Sequence, residues 1–221
     1  MCGRYVTPRL EGIEPLFEVD VIGEDLPEQN WNTKPTNLVP VVVQTEKDGR
    51  RLEAARWSLI PTWAKEPPKY PTFNARAEEA AGKATWKASV KSKRCLVPAQ
   101  GYYEWLTEGK VKTPFFISDP EAQMLAFAGL YSWWRASEAD PWLLTTTILT
   151  RAAVGGVARI HDRTPVTLPG SAWAEWLDPQ TAGDQSLLDW AVAEATPVAE
   201  RLDAYEVAPL RGDGPELTLP V

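Results

Sequence analysis

Cysteine, histidine and methionine are scarce in this chain, whose 221 residues include two cysteines, one histidine and two methionines. Cys2 and Cys95 are too few for a disulfide framework and too few for a zinc site. The sequence therefore predicts a protein of a reduced, intracellular environment. We expect neither a metal nor a cofactor.

Long apolar runs are missing as well. No segment approaches the roughly 18 apolar residues that span a bilayer, and the amino terminus carries no charged-then-apolar leader. Glycine does not follow the initiator methionine, which excludes N-myristoylation. We therefore expect a soluble, cytoplasmic protein that is not exported and has no contact with membranes.

Basic residues are fewer than acidic ones, and the net charge of −7 argues against nucleic acid as a partner. The shortage is confined to the second half of the chain. Residues 1–115 hold 17 Lys and Arg against 15 Asp and Glu, whereas residues 116–221 hold 6 against 15. Residues 80–103 contain five basic side chains and no acid, so a local basic face remains open. Most of the eleven tryptophans belong to a core, but some could stack on bases.

The first four residues, Met-Cys-Gly-Arg, carry the most distinctive chemistry. If Met1 is removed, Cys2 presents an α-amine and a thiol on adjacent carbons. Their unperturbed pKa values, about 7.7–8 and about 8.5, leave part of each group nucleophilic at neutral pH. The amine can form an imine with an aldehyde, and the thiol can then close a thiazolidine ring. The alternative is that Cys2 is an ordinary small apolar residue near the terminus.

The hydrophobic pattern predicts an α+β protein with one domain, residues 1–221, in which a mainly antiparallel sheet is flanked by helices. Helices are expected at residues 8–19, 76–91, 171–177 and 186–195. Strands are expected at residues 38–43, 52–60, 94–100, 115–118, 124–131 and 142–150. In this assignment Asn74 precedes a helix as a cap or turn residue. Arg76 lies at the positive end of that helix, where a cation does not stabilise the helix, so an anionic ligand explains its presence better.

Two further side chains are candidates for proton transfer. Glu104 lies among aromatic residues in an apolar stretch, which favours a raised pKa, although it could also be an exposed residue of a strand. His161 is the only histidine. It stands shortly before a proline and is either a positioned acid or base or a half-buried structural side chain.

Four motifs in this order resemble the SRAP family (SOS-response-associated peptidase). They are the amino-terminal Met-Cys-Gly-Arg, residues 73–78 (Phe-Asn-Ala-Arg-Ala-Glu), residues 101–105 (Gly-Tyr-Tyr-Glu-Trp) and residues 160–166 (Ile-His-Asp-Arg-Thr-Pro-Val). The resemblance covers nearly the whole chain. It implies the SRAP fold, with a barrel-like sheet as its core. It also implies a monomeric sensor that binds single-stranded DNA, joins the nucleoid when DNA is damaged, and captures the aldehyde of an abasic site as a thiazolidine crosslink.

The resemblance also implies roles for individual residues. Cys2 is the nucleophile, Asn74 hydrogen-bonds the adduct, Glu104 transfers protons in ring opening and crosslink reversal, and His161 assists at the sugar hydroxyl. The remaining DNA-contacting positions are Gly3, Arg4, Pro35, Trp63, Arg76, Thr150 and Arg163. The region before residues 213–217 is shorter than the family pattern, so no site residue is assigned there.

Two other functions remain open. An amino-terminal-nucleophile hydrolase or autopeptidase would use Cys2 to attack a carbonyl, with its own amine or Glu104 as base, and could remove Met1 itself. A passive module that binds single-stranded DNA would leave Cys2 without a chemical role.

Overall fold

The computed structural model describes residues 2–221. Strands make up most of the regular structure, and their bounds are β1 Tyr5–Thr7, β2 Val21–Ile22, β3 Asn30–Thr33, β4 Leu38–Thr45, β5 Gly49–Trp57, β6 Asn74–Arg76, β7 Arg94–Ala99, β8 Gly101–Glu108, β9 Val111–Ser118, β10 Leu125–Trp134, β11 Leu143–Ala152, β12 Arg163–Pro165 and β13 Asp203–Glu206. The helices are α1 Leu10–Phe17, α2 Ala84–Ser92, α3 Trp173–Leu177, α4 Gln185–Glu194 and α5 Thr196–Arg201.

The larger sheet closes on itself. Its strand order is β12-β11-β10-β7-β4-β5-β2, and β11 also pairs with β5. The pairing of β11 with β5 is parallel, whereas β4–β5, β4–β7, β7–β10 and β10–β11 are antiparallel. Closure removes the exposed edges of the strands that form the ring. The α+β class and the mainly antiparallel, barrel-like core are thereby confirmed.

The interior of this barrel is aromatic. Tyr5 meets Trp57 and Phe127 edge to face, with ring centroids 5.2 and 6.1 Å apart. Tyr102 meets Phe127 in the same way at 5.9 Å. Such edge-to-face pairs are favourable beyond their buried area. Cys2 belongs to the same buried cluster, so the amino-terminal segment is anchored in the core.

A second sheet of five strands, ordered β13-β9-β8-β1-β3, carries the first strand of the chain. β1 is antiparallel to β8, and the Tyr103 N–H donates to the Arg4 carbonyl at 2.9 Å. The Gln100 N–H donates to the Val6 carbonyl, also at 2.9 Å. The sheet therefore fixes the chain on the carboxyl side of Cys2.

The predicted helix over residues 76–91 is wrong in its first half. Asn74–Arg76 form strand β6, which is parallel to β11, and α2 begins only at Ala84. Asn74 is consequently no helix cap, and Arg76 does not lie in the first turn of a helix. Local composition suggested a helix, but pairing with a neighbouring strand distant in sequence decided the outcome.

The segment between β5 and β6, residues 58–73, is a loop whose two ends are joined by hydrogen bonds. β5 pairs with β11 up to Trp57, and β6 returns to the same strand at Asn74. The Trp57 indole N–H donates to the Phe73 carbonyl at 2.8 Å, and the hydroxyls of Ser58 and Thr72 lie 2.8 Å apart. The loop is therefore a compact excursion whose ends are held together, in the manner of an Ω-loop.

Arg94, which the sequence placed in a basic face, is buried and 3% exposed. Its guanidinium donates to five backbone carbonyls, those of Val90, Lys91, Trp176, Asp178 and Thr181. The pKa of this guanidinium is lowered, and burial is the largest cause. Arg94 thus ties α2 to α3 and to the segment after it instead of facing a polyanion.

Within residues 2–221, no helix combines the length and apolar character that crossing a membrane requires.

We expect Arg94→Met to destabilise the fold strongly, because five carbonyls would lose their common donor in a buried position. The expected loss in the free energy of unfolding is about 3 kcal/mol or more, measured by urea titration. Lys87→Met, on the exposed surface of α2, is the matched control and should change stability by less than about 0.5 kcal/mol. Equal losses for the two variants would contradict the proposed structural role of Arg94.

Candidate functional site

Cys2 is fully buried, with no exposed surface, at the entry to β1. Its thiol points back toward its own strand, with Sγ 3.9 Å from the Arg4 carbonyl oxygen. Gly3, between these residues, is half-buried. Met1, whose removal the sequence analysis anticipates, lies outside the described residues.

Asn74 reaches Cys2 from the opposite sheet. Its Nδ2 donates to the Cys2 carbonyl oxygen at 2.8 Å, across 72 residues of sequence. The register that places it there is the parallel pairing of Asn74 with Ile148. Among the described residues, the buried Asn74 Oδ1 has no hydrogen-bond partner. Asn74 therefore fixes the backbone of Cys2 and keeps one acceptor for a further group.

The Cys2 thiol is not the ready nucleophile that its unperturbed value suggests. Burial, the largest cause, raises its pKa well above the ordinary range, and the carboxylate of Glu104 raises it further. At neutral pH the sulfur is therefore a neutral thiol in this conformation. The sequence alone could not show this, because it depends on burial.

Glu104 faces the interior from β8, where it pairs with Phe115, and is only 3% exposed. Burial is the main cause that raises the pKa of its carboxyl group, while the His161 imidazole counteracts the rise. The predicted raised pKa is thereby confirmed in direction, and the exposed-strand alternative is excluded. Glu104 and His161 line a common open cavity of about 320 Å³ with Trp105, Thr107 and Lys112.

His161 is held by backbone on one side. The Arg163 N–H donates to its Nδ1 at 2.9 Å, so in the neutral imidazole the proton resides on Nε2. Asp162 Oδ1 also lies 2.9 Å from Nδ1, and would accept a proton from that nitrogen when the imidazole is charged. The ring is one quarter exposed, at 27%. It is therefore oriented but accessible, as an acid or base requires.

Arg163 makes a two-pronged ion pair with Glu78. Its Nη1 and Nη2 each lie 2.8 Å from a Glu78 carboxylate oxygen. Nη2 also donates to the Thr150 carbonyl at 2.7 Å. The hydrogen bonds from Arg163 are the first cause that lowers the pKa of the Glu78 carboxyl. This pair links the segment after β6 to β11 and β12.

Arg76 is exposed and shares a counter-ion with Lys83. Glu79 lies 3.7 Å from the Arg76 guanidinium and 3.3 Å from the Lys83 ammonium. The two cations are 60% and 58% exposed. Exposed pairs of this kind are weak, so both cations can exchange Glu79 for another anion.

The other predicted contact residues are placed differently from one another. Trp63 is 64% exposed on the loop 58–73, and Pro35 lies half-buried in the turn before β4. Arg4 is half-buried, and its Nη1 donates to the Gly3 carbonyl at 3.1 Å. Thr150 is fully buried, with Oγ1 3.4 Å from the Ala75 carbonyl. Their roles toward DNA stay predictions.

Sequence reasoning missed Glu78 and Glu79. Both follow the Asn-Ala-Arg-Ala motif directly, yet each contacts a different cation, and only the turn after β6 makes that division. Two consecutive glutamates shortly after Arg76, a candidate phosphate ligand, were the available signal. Among the described residues there is no group of three or more His, Cys, Asp or Glu side chains that could hold a metal.

We expect Glu104→Gln to stabilise the protein increasingly as the pH rises. Because the folded pKa of Glu104 lies above its unfolded value of about 4.3, the native state binds this proton more tightly. Stability is therefore lost as the pH rises from the unfolded through the folded pKa. The variant escapes that loss, so its advantage in the free energy of unfolding should be smallest at pH 4 and should grow as the pH rises to 8.

Denaturant titrations at pH 4, 6 and 8 measure this difference. Glu108→Gln, an exposed position at the end of the same strand, serves as control and should give a difference that does not vary with pH. An advantage of Glu104→Gln that shrinks with rising pH would contradict the raised pKa.

Comparison with known proteins agrees with this geometry. The family model "SOS response associated peptidase (SRAP)" matches residues 1–211. "Abasic site processing protein YoqW" of Bacillus subtilis is 34% identical, over 98% of each chain, and "Abasic site processing protein YedK" of Escherichia coli is 31% identical, over 84% of this chain and 83% of its own. A crystal structure of a protein from Bacteroides thetaiotaomicron shares the fold, with a TM-score of 0.82 at 20% identity over all of both chains. The chain therefore belongs to the SRAP family.

Proposed function

We propose that this protein processes abasic sites in single-stranded DNA by linking them covalently to Cys2. The observation that carries the proposal is the hydrogen bond from Asn74 to the Cys2 carbonyl, which holds this residue beside Glu104. The names of the similar proteins YoqW and YedK, both abasic site processing proteins, support the same substrate class.

The chemistry requires that Met1 be removed first, since an amide nitrogen at Cys2 could not react. The free α-amine then adds to the aldehyde of the ring-opened abasic sugar and expels water, which leaves an imine. The Cys2 thiol adds across the C=N bond. Its sulfur bonds to carbon and its proton passes to nitrogen, giving a thiazolidine without any oxidant or cofactor.

Burial of the thiol suits this order of steps. Because the pKa of Cys2 is raised, the sulfur remains protonated until the imine forms nearby, and unrelated electrophiles meet little thiolate. The amine is left as the first nucleophile. Ring closure is intramolecular and gains from the proximity of sulfur to the imine carbon.

Glu104 is the proton carrier in this proposal. A buried carboxyl with a raised pKa can donate a proton near neutrality and take it back, which serves ring opening, loss of water and reversal of the crosslink. His161, with its proton on Nε2 and its ring edge in the same cavity, assists at the sugar hydroxyl.

Recognition of the strand falls to cations and exposed aromatic rings. An abasic site presents no base, so phosphate contacts and stacking on neighbouring bases are the interactions available. Arg4 and Arg76 offer the phosphate contacts, and Arg163 could join them by exchanging Glu78. Trp63 offers a ring to the strand, while Gly3, Pro35 and Thr150 shape the surface around Cys2.

A denaturing gel tests the proposal directly. The purified protein is incubated with a single-stranded oligonucleotide that carries one abasic site and is then boiled in SDS. We expect a slower band for the wild type and its loss in Cys2→Ala. Cys95→Ala, which removes the other buried thiol, is the matched control and should crosslink normally.

Reducing the abasic aldehyde with borohydride beforehand should also abolish the band. A band that persists in Cys2→Ala or with reduced DNA would refute the covalent mechanism. Binding that is lost on boiling would identify a passive single-strand binder, and turnover of a peptide would favour the hydrolase.

Arg76→Ala should weaken binding to intact and abasic single strands equally. The plot of log Kd against log salt should become flatter by about 0.7, the contribution of one phosphate contact on a single strand. Fluorescence anisotropy at four salt concentrations measures the slope. Lys47→Ala, in the turn between β4 and β5, removes the same charge elsewhere and should leave the slope unchanged. A loss confined to abasic DNA would contradict a phosphate contact for Arg76.

A further inference from the structure

A second cavity is lined by Asn74, the residue that contacts Cys2. It has a volume of about 390 Å³ and lies between the last residues of the loop 58–73 and the start of α2. Because the Asn74 amide donates to the Cys2 carbonyl, one side chain separates this cavity from Cys2. A chain bound at Cys2 would enter this cavity with its next unit.

An exposed aromatic ring stands at the rim of the cavity. Tyr70 is 54% exposed, which is unusual for a ring that serves only packing. Its hydroxyl lies 3.1 Å from Thr85 Oγ1, and Pro71 follows it in the chain. The ring is therefore held in place before any ligand arrives, which lowers the entropy cost of stacking on it.

The hydrogen bond to Thr85 also decides what the ring can recognise. With its hydroxyl bonded to Thr85, Tyr70 offers chiefly its π-face to a ligand in the cavity. A π-face accepts any base. Trp86 lies deeper in the cavity wall, is 8% exposed and packs in the core, so the ring available for a ligand is that of Tyr70.

Two cations complete the cavity. Arg76 and Lys83 both line it, and a single carboxylate, Glu79, serves both. The three side chains together carry one positive charge, and both cations are more than half exposed. A phosphate that displaces Glu79 from either one gains a charge-assisted contact.

We propose that this cavity binds the nucleotide next to the abasic site, with its base stacked on Tyr70 and its phosphate between Arg76 and Lys83. This inference rests on the proposed function, which places the abasic sugar at Cys2. The volume lies within the range of small-ligand pockets and fits one nucleotide. Binding is independent of base identity, because stacking on Tyr70 reads no base edge.

A cycle of protein and DNA changes tests the stacking contact. The probe is a fluorescent single-stranded oligonucleotide with a central tetrahydrofuran, an abasic analogue without an aldehyde, so that no crosslink forms. In two further probes the base on the 5′ side or the 3′ side is also removed. Anisotropy gives Kd for the wild type and for Tyr70→Leu.

We expect removal of one neighbouring base to weaken wild-type binding by about 5-fold to 100-fold, as the loss of one stacked base should. Tyr70→Leu should lose a similar factor with the complete probe and almost nothing more when that base is absent. Tyr70→Phe keeps the ring and loses only the contact with Thr85, so it should retain the coupling to that base and bind much more tightly than Tyr70→Leu. Trp142→Leu, at an equally exposed aromatic position of 52%, should show no coupling to either base.

The proposal would be overturned if Tyr70→Leu and base removal acted independently at both the 5′ and the 3′ base. The factor lost in the combined change would then equal the product of the two separate factors. A Tyr70→Phe variant as weak as Tyr70→Leu would also overturn it. The crosslinking gel is read separately. Normal crosslinking without coupling would refute the nucleotide pocket alone, whereas coupling in a wild type that forms no crosslink would support the pocket and refute the covalent chemistry.

Discussion

The hydrogen bond from the Asn74 amide to the Cys2 carbonyl is the contact on which the rest of the site depends. It joins the first residues of the chain to a strand that begins more than seventy positions later. That strand is short and has its place only because β11 accepts β5 and β6 along one edge, in parallel. The closure of the barrel and the position of Cys2 therefore depend on the same strand pairings, and the site rests on sheet register instead of on loops.

Burial sets the chemistry around this contact. It raises the pKa of both the Cys2 thiol and the Glu104 carboxyl, so both groups are shifted toward their neutral forms. For the proposed DNA ligand this is an advantage, since fewer negative charges would face its phosphates. The basic side chains differ from one another in their exposure. Arg76 and Lys83 stay exposed with a replaceable partner, whereas Arg94, buried on backbone carbonyls, is removed from recognition altogether.

The sequence predicted the class of the fold, the strands on either side of the turn between β4 and β5 and the raised pKa of Glu104, because apolar alternation and aromatic neighbours are local signals. It failed at residues 76–83, where alanine, glutamate and lysine favour a helix, but pairing with β11 holds residues 74–76 in a strand and α2 begins only at Ala84. It also failed for Arg94, since a run of basic residues does not reveal that one of them turns inward. The sequence could not show that Glu78 and Glu79 pair with different cations, because these contacts involve residues up to 85 positions away. Tertiary pairing overrides local preference in each case.

The hydrogen bonds that join the two ends of the loop 58–73 affect how the sequence of this loop can change in evolution. Because the indole of Trp57 and the hydroxyls of Ser58 and Thr72 clamp both ends, the residues beyond the clamp can change in number and kind while β6 keeps its register. Lengthening such a surface excursion costs little conformational entropy. Relatives can therefore differ in the number and kind of residues between the clamped ends, where this chain has Trp63 and Tyr70, while the contact between Asn74 and Cys2 stays in place.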